Sequence, residues 1–314
     1  MRKTGTMLRK FASGEKLQLN YRVHKRISFV FTVAVAVVLL SAVMAGQNAS
    51  IAPLPGVEKA LDQGFLAMYN LQFDDALGKL EAAKALSKDD PLPWVAQSSA
   101  VLFREFTRLK ILRSETFISD ENFDARPAQK WDPAGKKQFD DTLAGAEQIA
   151  QERLKRDKND IRALFALTLV NGLRADDSAL ITKKNIAAIG YTKAASGFAE
   201  RLLALAPNQY DAYLATGMGK YIVGGKAAPI RWLLRLDGLK GDQEQGVKEM
   251  KLAAEQGHYL APFARILLAF DDLRHKNKTE ALKKLNWLHD QFPNNPLFAL
   301  EISKLETGSM SGGQ

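Results

Sequence analysis

The strongest constraint on the fold is a 34-residue spacing between two segments of similar helical pattern. Residues 57–86 contain two amphipathic stretches with a turn near residues 70–72. Gly64 takes position 8 of a unit that starts at residue 57, and Ser98 takes position 8 of a unit that starts at residue 91. Self-similarity at such a period is typical of arrays of helix hairpins, in which each unit packs on its neighbours.

The same pattern returns in units that start at residues 161, 210 and 262. Position 8 is small throughout, being Gly64, Ser98, Thr168, Gly217 and Ala269. Small residues suit this position because the two helices of a hairpin cross there with their backbones close together. The pattern resembles the tetratricopeptide repeat. This resemblance implies an all-α, right-handed solenoid of about five hairpins, with residues 296–306 as a C-terminal capping helix.

More specific strings lie in the second half of the chain. They are Gly190-Tyr191-Thr192-Lys193, Leu205-Ala206-Pro207, Asp211-Ala212-Tyr213-Leu214, Pro229-Ile230-Arg231-Trp232 and Gly257-His258-Tyr259-Leu260-Ala261-Pro262. With these strings the chain is similar to exported bacterial tetratricopeptide proteins of unassigned function. It resembles the eukaryotic tetratricopeptide-39 type more distantly. That family implies a fold and no catalytic activity.

The intervals between unit starts exceed 34 residues by 0, 36, 15 and 18. Because the second helix of each unit keeps its register with the next start, the extra residues fall between the first helix (A) and the second (B). We therefore expect insertions near residues 113–136, 175–189 and 224–241, all on one rim. They are either a binding surface or loops that tolerate drift in length. The candidate contact residues on this rim are Trp131, Arg231, Trp232 and Arg235.

Residues 226–240 allow a second interpretation of the third insertion. Trp232 and four leucines alternate there with basic residues, which suits a short helix at a membrane interface. A helix that packs its leucines on the solenoid is the other interpretation.

The resemblance also implies a concave face, built from positions 2, 5, 9 and 12 of the A helices. It selects nine candidate contacts for a protein or peptide partner: Phe65, Met68, Arg162, Phe165, Asp211, Leu214, Met218, Tyr221 and Phe270. Mixed aromatic, methionine and charged character suits a peptide or helix ligand. The same character suits packing within the superhelix.

The N-terminal residues indicate export. Residues 27–44 carry no charge and are long enough, as a helix of roughly 27 Å, to cross a bilayer. The basic residues before them should stay in the cytoplasm, which places the rest of the chain outside it. Both a cleaved signal peptide and a retained anchor fit. We expect residues 1–45 to be this leader, 46–56 a linker, 57–306 the repeat domain and 307–314 a flexible tail.

Composition and motifs exclude several classes of function. The net charge is +9, but residues 1–45 supply +7 of it, so a basic nucleic-acid-binding face is not expected. The chain has no cysteine and four histidines without ligand spacing, and it contains no phosphate-binding glycine loop. Five Asp-Asp doublets are interpreted chiefly as helix caps. We expect no metal, cofactor or catalytic site, and a non-enzymatic scaffold that binds a protein or peptide on the extracytoplasmic side of the membrane. The alternative is a membrane-associated factor that handles lipid or envelope polymer through residues 226–240.

Overall fold

Twelve α-helices and no strand make up the part of the chain that the computed structural model describes, residues 55–225 and 241–308. The helices are α1 (Pro55–Tyr69), α2 (Phe73–Leu86), α3 (Pro91–Arg108), α4 (Asp120–Ala125), α5 (Pro133–Arg156), α6 (Ile161–Asp176), α7 (Asn185–Leu205), α8 (Tyr213–Gly224), α9 (Gln243–Gln256), α10 (Ala261–Arg274), α11 (Lys278–Gln291) and α12 (Pro296–Thr307).

Ten of these helices form five hairpins that stack in chain order. The A helices are α1, α3, α6, α8 and α10, and each packs on its B helix, respectively α2, α5, α7, α9 and α11. Each B helix also packs on the next A helix, and α11 packs on α12. The all-α class, the five hairpins and the terminal helix are therefore confirmed. The expected unit starts at 57, 91, 161, 210 and 262 fall within two residues of the start of an A helix or, at Tyr210, of the 3₁₀ turn that leads into α8.

Most helices in the array begin at a side-chain cap. Asp90, Asp132 and Asp160 each accept a hydrogen bond from a backbone N–H in the first turn of the helix that follows. Asp242 and Asn295 do the same for α9 and α12. These oxygens satisfy amide groups that a helix start leaves without an intrahelical partner.

The capping interpretation of the acidic doublets is wrong for three of the five. Residues 140–141 lie inside α5, where each carboxylate pairs with a lysine four residues earlier. Residues 271–272 lie in the last turn of α10, and residues 176–177 at the end of α6. Spacing alone could not show this, because a doublet suits the interior of a helix when lysines precede it by one turn.

The close crossing expected at position 8 occurs where Gly64, Ser98 and Gly217 meet their B helices. A Cβ atom on Gly64 would lie 2.5 Å from the Leu80 side chain. Ser98 is hydrogen-bonded to Thr142 on α5, with 2.6 Å between the hydroxyl oxygens. A Cβ on Gly217 would lie 2.8 Å from the carbonyl oxygen of Gly246. The small residues therefore allow contacts that a larger side chain would block.

Three A helices end in the same left-handed turn, which the sequence did not indicate. Leu71, Lys110 and Lys276 have φ values of 59°, 55° and 58°. In each case the following N–H bonds to a carbonyl five residues earlier, as in a Schellman motif. Glycine is the usual residue at this position, so the leucine and the lysines carried no recognisable stop signal.

The insertions lie between A and B helices, as predicted, but their limits differ. The first spans residues 109–132 and includes α4. The second has only residues 177–184 outside the α-helices, because α6 extends to Asp176 and α7 begins at Asn185. The third joins α8 to α9, and its residues 226–240 lie outside the described chain, as do the leader, most of the linker and residues 309–314.

Candidate functional site

The inner face of the array is filled by the chain itself. Among the nine predicted partner contacts, five are buried apolar side chains with at most 7% of their surface exposed: Phe65, Met68, Phe165, Leu214 and Phe270. They belong to the hydrophobic core and cannot reach a partner in this conformation. We therefore do not retain these five as partner contacts.

Aromatic residues of the fifth hairpin occupy the space that an open concave face would leave. The ring of Tyr259 stacks on Phe65 at 4.7 Å between centroids, and Phe292 lies 5.3 Å from Tyr69. Phe263 meets the edge of Phe103 at 5.4 Å. These pairs join α1 and α3 to residues about 160–220 positions later in the chain. The array is thus closed by its own C-terminal hairpin.

A polar cluster, to which each hairpin contributes one residue, lies where the A helices begin. It consists of Glu58, Asp90, Arg162, Asp211 and Tyr259. Arg162 binds both carboxylate oxygens of Asp90, at 2.8 and 2.6 Å, and lies 2.8 Å from a Glu58 oxygen. The Tyr259 hydroxyl donates to the other Glu58 oxygen at 2.5 Å.

The guanidinium of Arg162 is largely withdrawn from water, which on its own would lower its pKa. The hydrogen bonds and ion pairs with Asp90 and Glu58 outweigh this burial and raise the pKa of Arg162. Arg162 thus forms a bidentate, hydrogen-bonded pair with Asp90 and an ion pair with the partly exposed Glu58. Arg162, predicted as a partner contact, therefore holds the first three hairpins together.

Asp211 is a second predicted contact with a structural role. Its carboxylate accepts hydrogen bonds from the backbone N–H groups of His258, Tyr259 and Leu260, at 2.8, 3.0 and 3.0 Å. Burial raises the pKa of Asp211, and the three N–H donors oppose that rise. The side chain thereby fixes the segment that enters α10 and positions Tyr259 against α1.

The remaining two predicted contacts, Met218 and Tyr221, are partly buried on α8. The Tyr221 hydroxyl donates to Asp271 on α10 at 2.7 Å. Met218 packs against a smaller core formed by α8, α9 and α10. Neither side chain therefore lines an open groove.

The space left between the first and fifth hairpins is a cavity of about 30 Å³. Apolar side chains dominate its lining, including Met68, Phe103, Ile266 and Phe270. Such a volume accommodates about one water-sized group and no peptide side chain of ordinary size. This cavity is therefore too small to be a peptide-binding site in this conformation.

Two insertions, by contrast, join into a continuous surface on the edge where the A helices end. We call residues 109–132 and 177–184 the insertion rim. The Trp131 indole N–H donates to Asp177 at 2.7 Å, and the N–H of Gln129 donates to the carbonyl of Ile181 at 2.7 Å. Lys183 donates to the carbonyl of Phe123 at 2.8 Å and lies over its ring. The expectation that these two insertions share one rim is therefore confirmed.

The insertion rim also reaches the C-terminal end of the array. Phe117 stacks on Phe270 at 4.8 Å with nearly parallel rings, and its carbonyl accepts a hydrogen bond from Arg274. Ser114 is hydrogen-bonded to Glu301 on α12, and Lys304 pairs with Glu115 at 2.7 Å. These contacts attach the rim to α10 and α12 and leave α4 and residues 127–128 facing solvent.

Trp131 has a role within the chain that can be measured. We expect Trp131→Phe to destabilise the protein by about 1 kcal/mol, because the ring can still pack 5.1 Å from Phe139 while the hydrogen bond to Asp177 is lost. Urea unfolding of this variant in the natural background and in an Asp177→Ala background checks the prediction. The cost should vanish in the second background; an equal cost in both would contradict the assigned bond.

The adjacent Asp176 predicts a pH dependence of stability. Burial, and secondarily the charge of Asp177, raise the pKa of Asp176 to about 7. Between about pH 4 and pH 7 the folded state holds a proton that the unfolded chain releases, so stability should fall as the pH rises across this window. The slope from one such group is at most about 1.4 kcal/mol per pH unit.

Asp176→Asn should remove this contribution and raise stability at pH 8, because the amide stays neutral. Denaturant unfolding at several pH values between 5 and 8 compares the two chains. Asp141→Asn, a change at an exposed position, serves as the matched control. Parallel pH profiles for the natural chain and Asp176→Asn would contradict the prediction.

Some predictions fall outside the described residues. Arg231, Trp232 and Arg235 lie in residues 226–240, and the uncharged segment 27–44 lies in the leader, so these predictions stay predictions. In residues 55–225 and 241–308, no helix is both long and apolar enough for a membrane span. The same ranges hold no group of three histidine, aspartate or glutamate side chains arranged to bind a metal ion.

Comparisons with known proteins add little beyond the fold. No protein-family model matches the chain, and no curated protein matches it in sequence. Among solved structures, a thermophilic TPR protein from Thermus thermophilus is similar over 80% of this chain and 99% of its own length, with 14% identity and a TM-score of 0.41. The stacked hairpins and their small crossing residues are features of this chain itself and do not depend on that likeness. The described chain is a tetratricopeptide-like helical array.

Proposed function

We propose that this protein is a non-enzymatic scaffold that binds a protein partner through the exposed side of the insertion rim. The observation that carries the proposal is the junction of residues 109–132 with residues 177–184. Insertions that served only as slack loops would have no need of specific bonds to one another, to α10 and to α12. A rigid surface on a solenoid edge suits recognition, since binding residues are commonly held on loops by a rigid scaffold.

The closed inner face also favours the insertion rim as the binding surface. Tetratricopeptide-like arrays offer two extended surfaces, the inner face and the edges, and the first is occupied in cis by Tyr259, Phe263 and Phe292. The rim combines exposed carboxylates on α4 with exposed Lys130 and Lys184. A partner that fits it carries charges of both signs, and its binding should weaken as salt is raised.

The proposal includes a place in the cell. An uncharged segment with a basic flank supports export of the array to the outer side of a membrane. The chain enters α1 at the edge opposite the rim, and α1 is about 22 Å long.

Site-specific photo-crosslinking in the native cells tests the binding surface. A photoreactive residue is placed at Asp124 or Ala128 on the rim, and at Ala85 or Glu152 as exposed controls elsewhere. We expect one discrete adduct with the same protein from both rim positions and none from the controls. Adducts only from the controls, or from no position, would overturn the rim as the binding surface.

Location is tested separately, with a single cysteine in a chain that has none. Ala128→Cys should react with a membrane-impermeant maleimide added outside the inner membrane. Reaction only after cell lysis would overturn the extracytoplasmic placement and would leave the rim assignment to the crosslinking result.

A further inference from the structure

The end of α6 differs from the ends of α1, α3 and α10. Those three helices stop directly at a left-handed residue, whereas α6 passes at Asp176 into one wider, π-helical turn over residues 177–181. Such a turn holds an extra residue within a helix and is frequent at functional positions. This one forms the start of the second insertion, so its conformation decides how that insertion meets the first.

Two hydrogen bonds join this turn to the first insertion, and we call them the rim junction. The Trp131 indole donates to Asp177, and the N–H of Gln129 donates to the carbonyl of Ile181, each at 2.7 Å. Both acceptors belong to the π-helical turn. A movement of the turn would therefore break both bonds together.

Asp176 lies where the helix changes from α to π, and its carboxyl group has no partner in the described chain. No hydrogen bond or ion pair of this side chain occurs there. The adjacent Asp177 accepts the Trp131 N–H and lies near the charges of Lys136 and Lys184. An ionised Asp176 would have no such donor or cation beside it and would face a second carboxylate. The geometry therefore keeps Asp176 neutral and places the charge of the pair on Asp177.

Other titratable groups lie on each of the elements around this turn. They are Glu105 and Arg108 of α3, Asp124 and Arg126 of the first insertion, Lys136, Asp140 and Glu147 of α5, Arg174 of α6, Lys183 and Lys184 of the second insertion, and Tyr191 of α7. Six of them form ion pairs with one another. Burial and then the charge of Asp177 raise the pKa of Asp176 to about 7, and no cation among the described residues opposes this rise.

We propose that Asp176 is a proton-dependent switch for the rim junction: its neutral form holds the π-helical turn on the first insertion, and its ionised form loosens that contact. The charge must gain water that the closed turn does not provide. Because the closed turn keeps a proton that the opened turn releases, the junction is most stable below about pH 4 and weakens as the pH rises to about 7.

The switch concerns the junction itself and acts whether or not a partner is bound. It has one consequence for binding, namely that the insertion rim is most ordered at acidic pH. That consequence rests on the proposed function. An absence of crosslinks from the rim would remove the proposed function and leave the switch to be decided by the experiment below.

Hydrogen exchange of the Gln129 amide in the full-length chain tests the switch. After correction for the intrinsic pH dependence of exchange, its protection should fall about tenfold between pH 6 and pH 8. The control is the amide of Gln72, which closes the turn at the end of α1 by donating to Ala67 at 2.9 Å. Its protection should change less than about twofold. An equal loss at both amides, or no loss at Gln129, would overturn the switch.

Three substitutions assign the proton to one side chain. Asp176→Asn should abolish the tenfold change, and Asp176→Glu should retain a pH-dependent loss. Asp177→Asn leaves an oxygen for Trp131 and removes the neighbouring charge, so the loss should remain and move to lower pH. Asp141→Asn, at an exposed position, should reproduce the natural profile. A profile that survives Asp176→Asn, or one that disappears in Asp177→Asn, would overturn the assignment to Asp176.

Discussion

Replacing Asp211 with alanine should lower the free energy of unfolding by about 2–4 kcal/mol, among the largest effects of any single change in this chain. The carboxylate accepts three backbone N–H groups at the entrance to α10. Alanine leaves these buried donors without an acceptor. It also releases the segment that places Tyr259 against Glu58, so the contact between the first and fifth hairpins should weaken with it.

Two further substitutions make this prediction specific. Asp211→Asn should cost less than alanine, because one oxygen accepts two of the three N–H groups and only the third loses its acceptor. Asp62→Ala is the control, since Asp62 is about half exposed and pairs with the exposed His258. Its removal should cost under about 1 kcal/mol. Urea unfolding of the four proteins provides the comparison, and similar losses for Asp211→Ala and Asp62→Ala would contradict the assigned role.

Gly217→Ala should destabilise the protein by about 1–3 kcal/mol, although alanine is the better helix former. The added Cβ would lie 2.8 Å from the Gly246 carbonyl oxygen and 3.0 Å from the Met250 nitrogen. Both are backbone atoms of α9 that no side-chain rotation can move aside. The two helices of the fourth hairpin must therefore separate.

The matched change is Gly78→Ala on α2, where an added Cβ meets no atom within 4 Å. It should stabilise the protein by about 0.5–1 kcal/mol through helix propensity alone. The two glycine-to-alanine changes are expected to have opposite signs in the same unfolding experiment. Equal signs would show that the crossing of α8 and α9 is not close.

Much of the array could be predicted because its signals are local. Position 8 of each unit, the Asp90 cap and the excess spacing between units all lie within one hairpin of the feature they predict. The right starts of the A helices and the placement of the insertions followed from them. The small residues at 64 and 217 carry this information because a close crossing admits few other residues.

The inner face could not be predicted because its closure depends on distant residues. Nothing near Phe65 or Met68 signals that Tyr259 and Phe292 fill the space in front of them. The same side chains suit an open groove and a closed core, since both are apolar and aromatic. Arg162 and Asp211 were selected by position for the same reason, and their partners at Glu58, Asp90 and residues 258–260 were missed.

The second insertion shows a further limit of spacing arguments. Fifteen extra residues predict a loop of that size, but a helix can absorb them when its sequence permits. Residues 185–189 form the first part of α7. The second insertion therefore contributes only residues 177–184 to the insertion rim. The excess length between units indicates where in the chain an insertion lies, whereas its side chains determine the conformation that it adopts.

Thiol labelling of two neighbouring positions on α1 tests the closed array most directly. The chain has no cysteine, so Met68→Cys and Leu66→Cys each introduce one reactive group in the full-length protein. Met68 is 2% exposed and faces the fifth hairpin, whereas Leu66 is 53% exposed. If the C-terminal hairpin fills the inner face, the thiol at 68 should react about a hundredfold more slowly than the thiol at 66, because it must wait for the array to open. This difference should hold even though the smaller side chain at 68 lowers the unfolding midpoint. Comparable labelling rates at the two positions would show an open inner face and contradict the closed array.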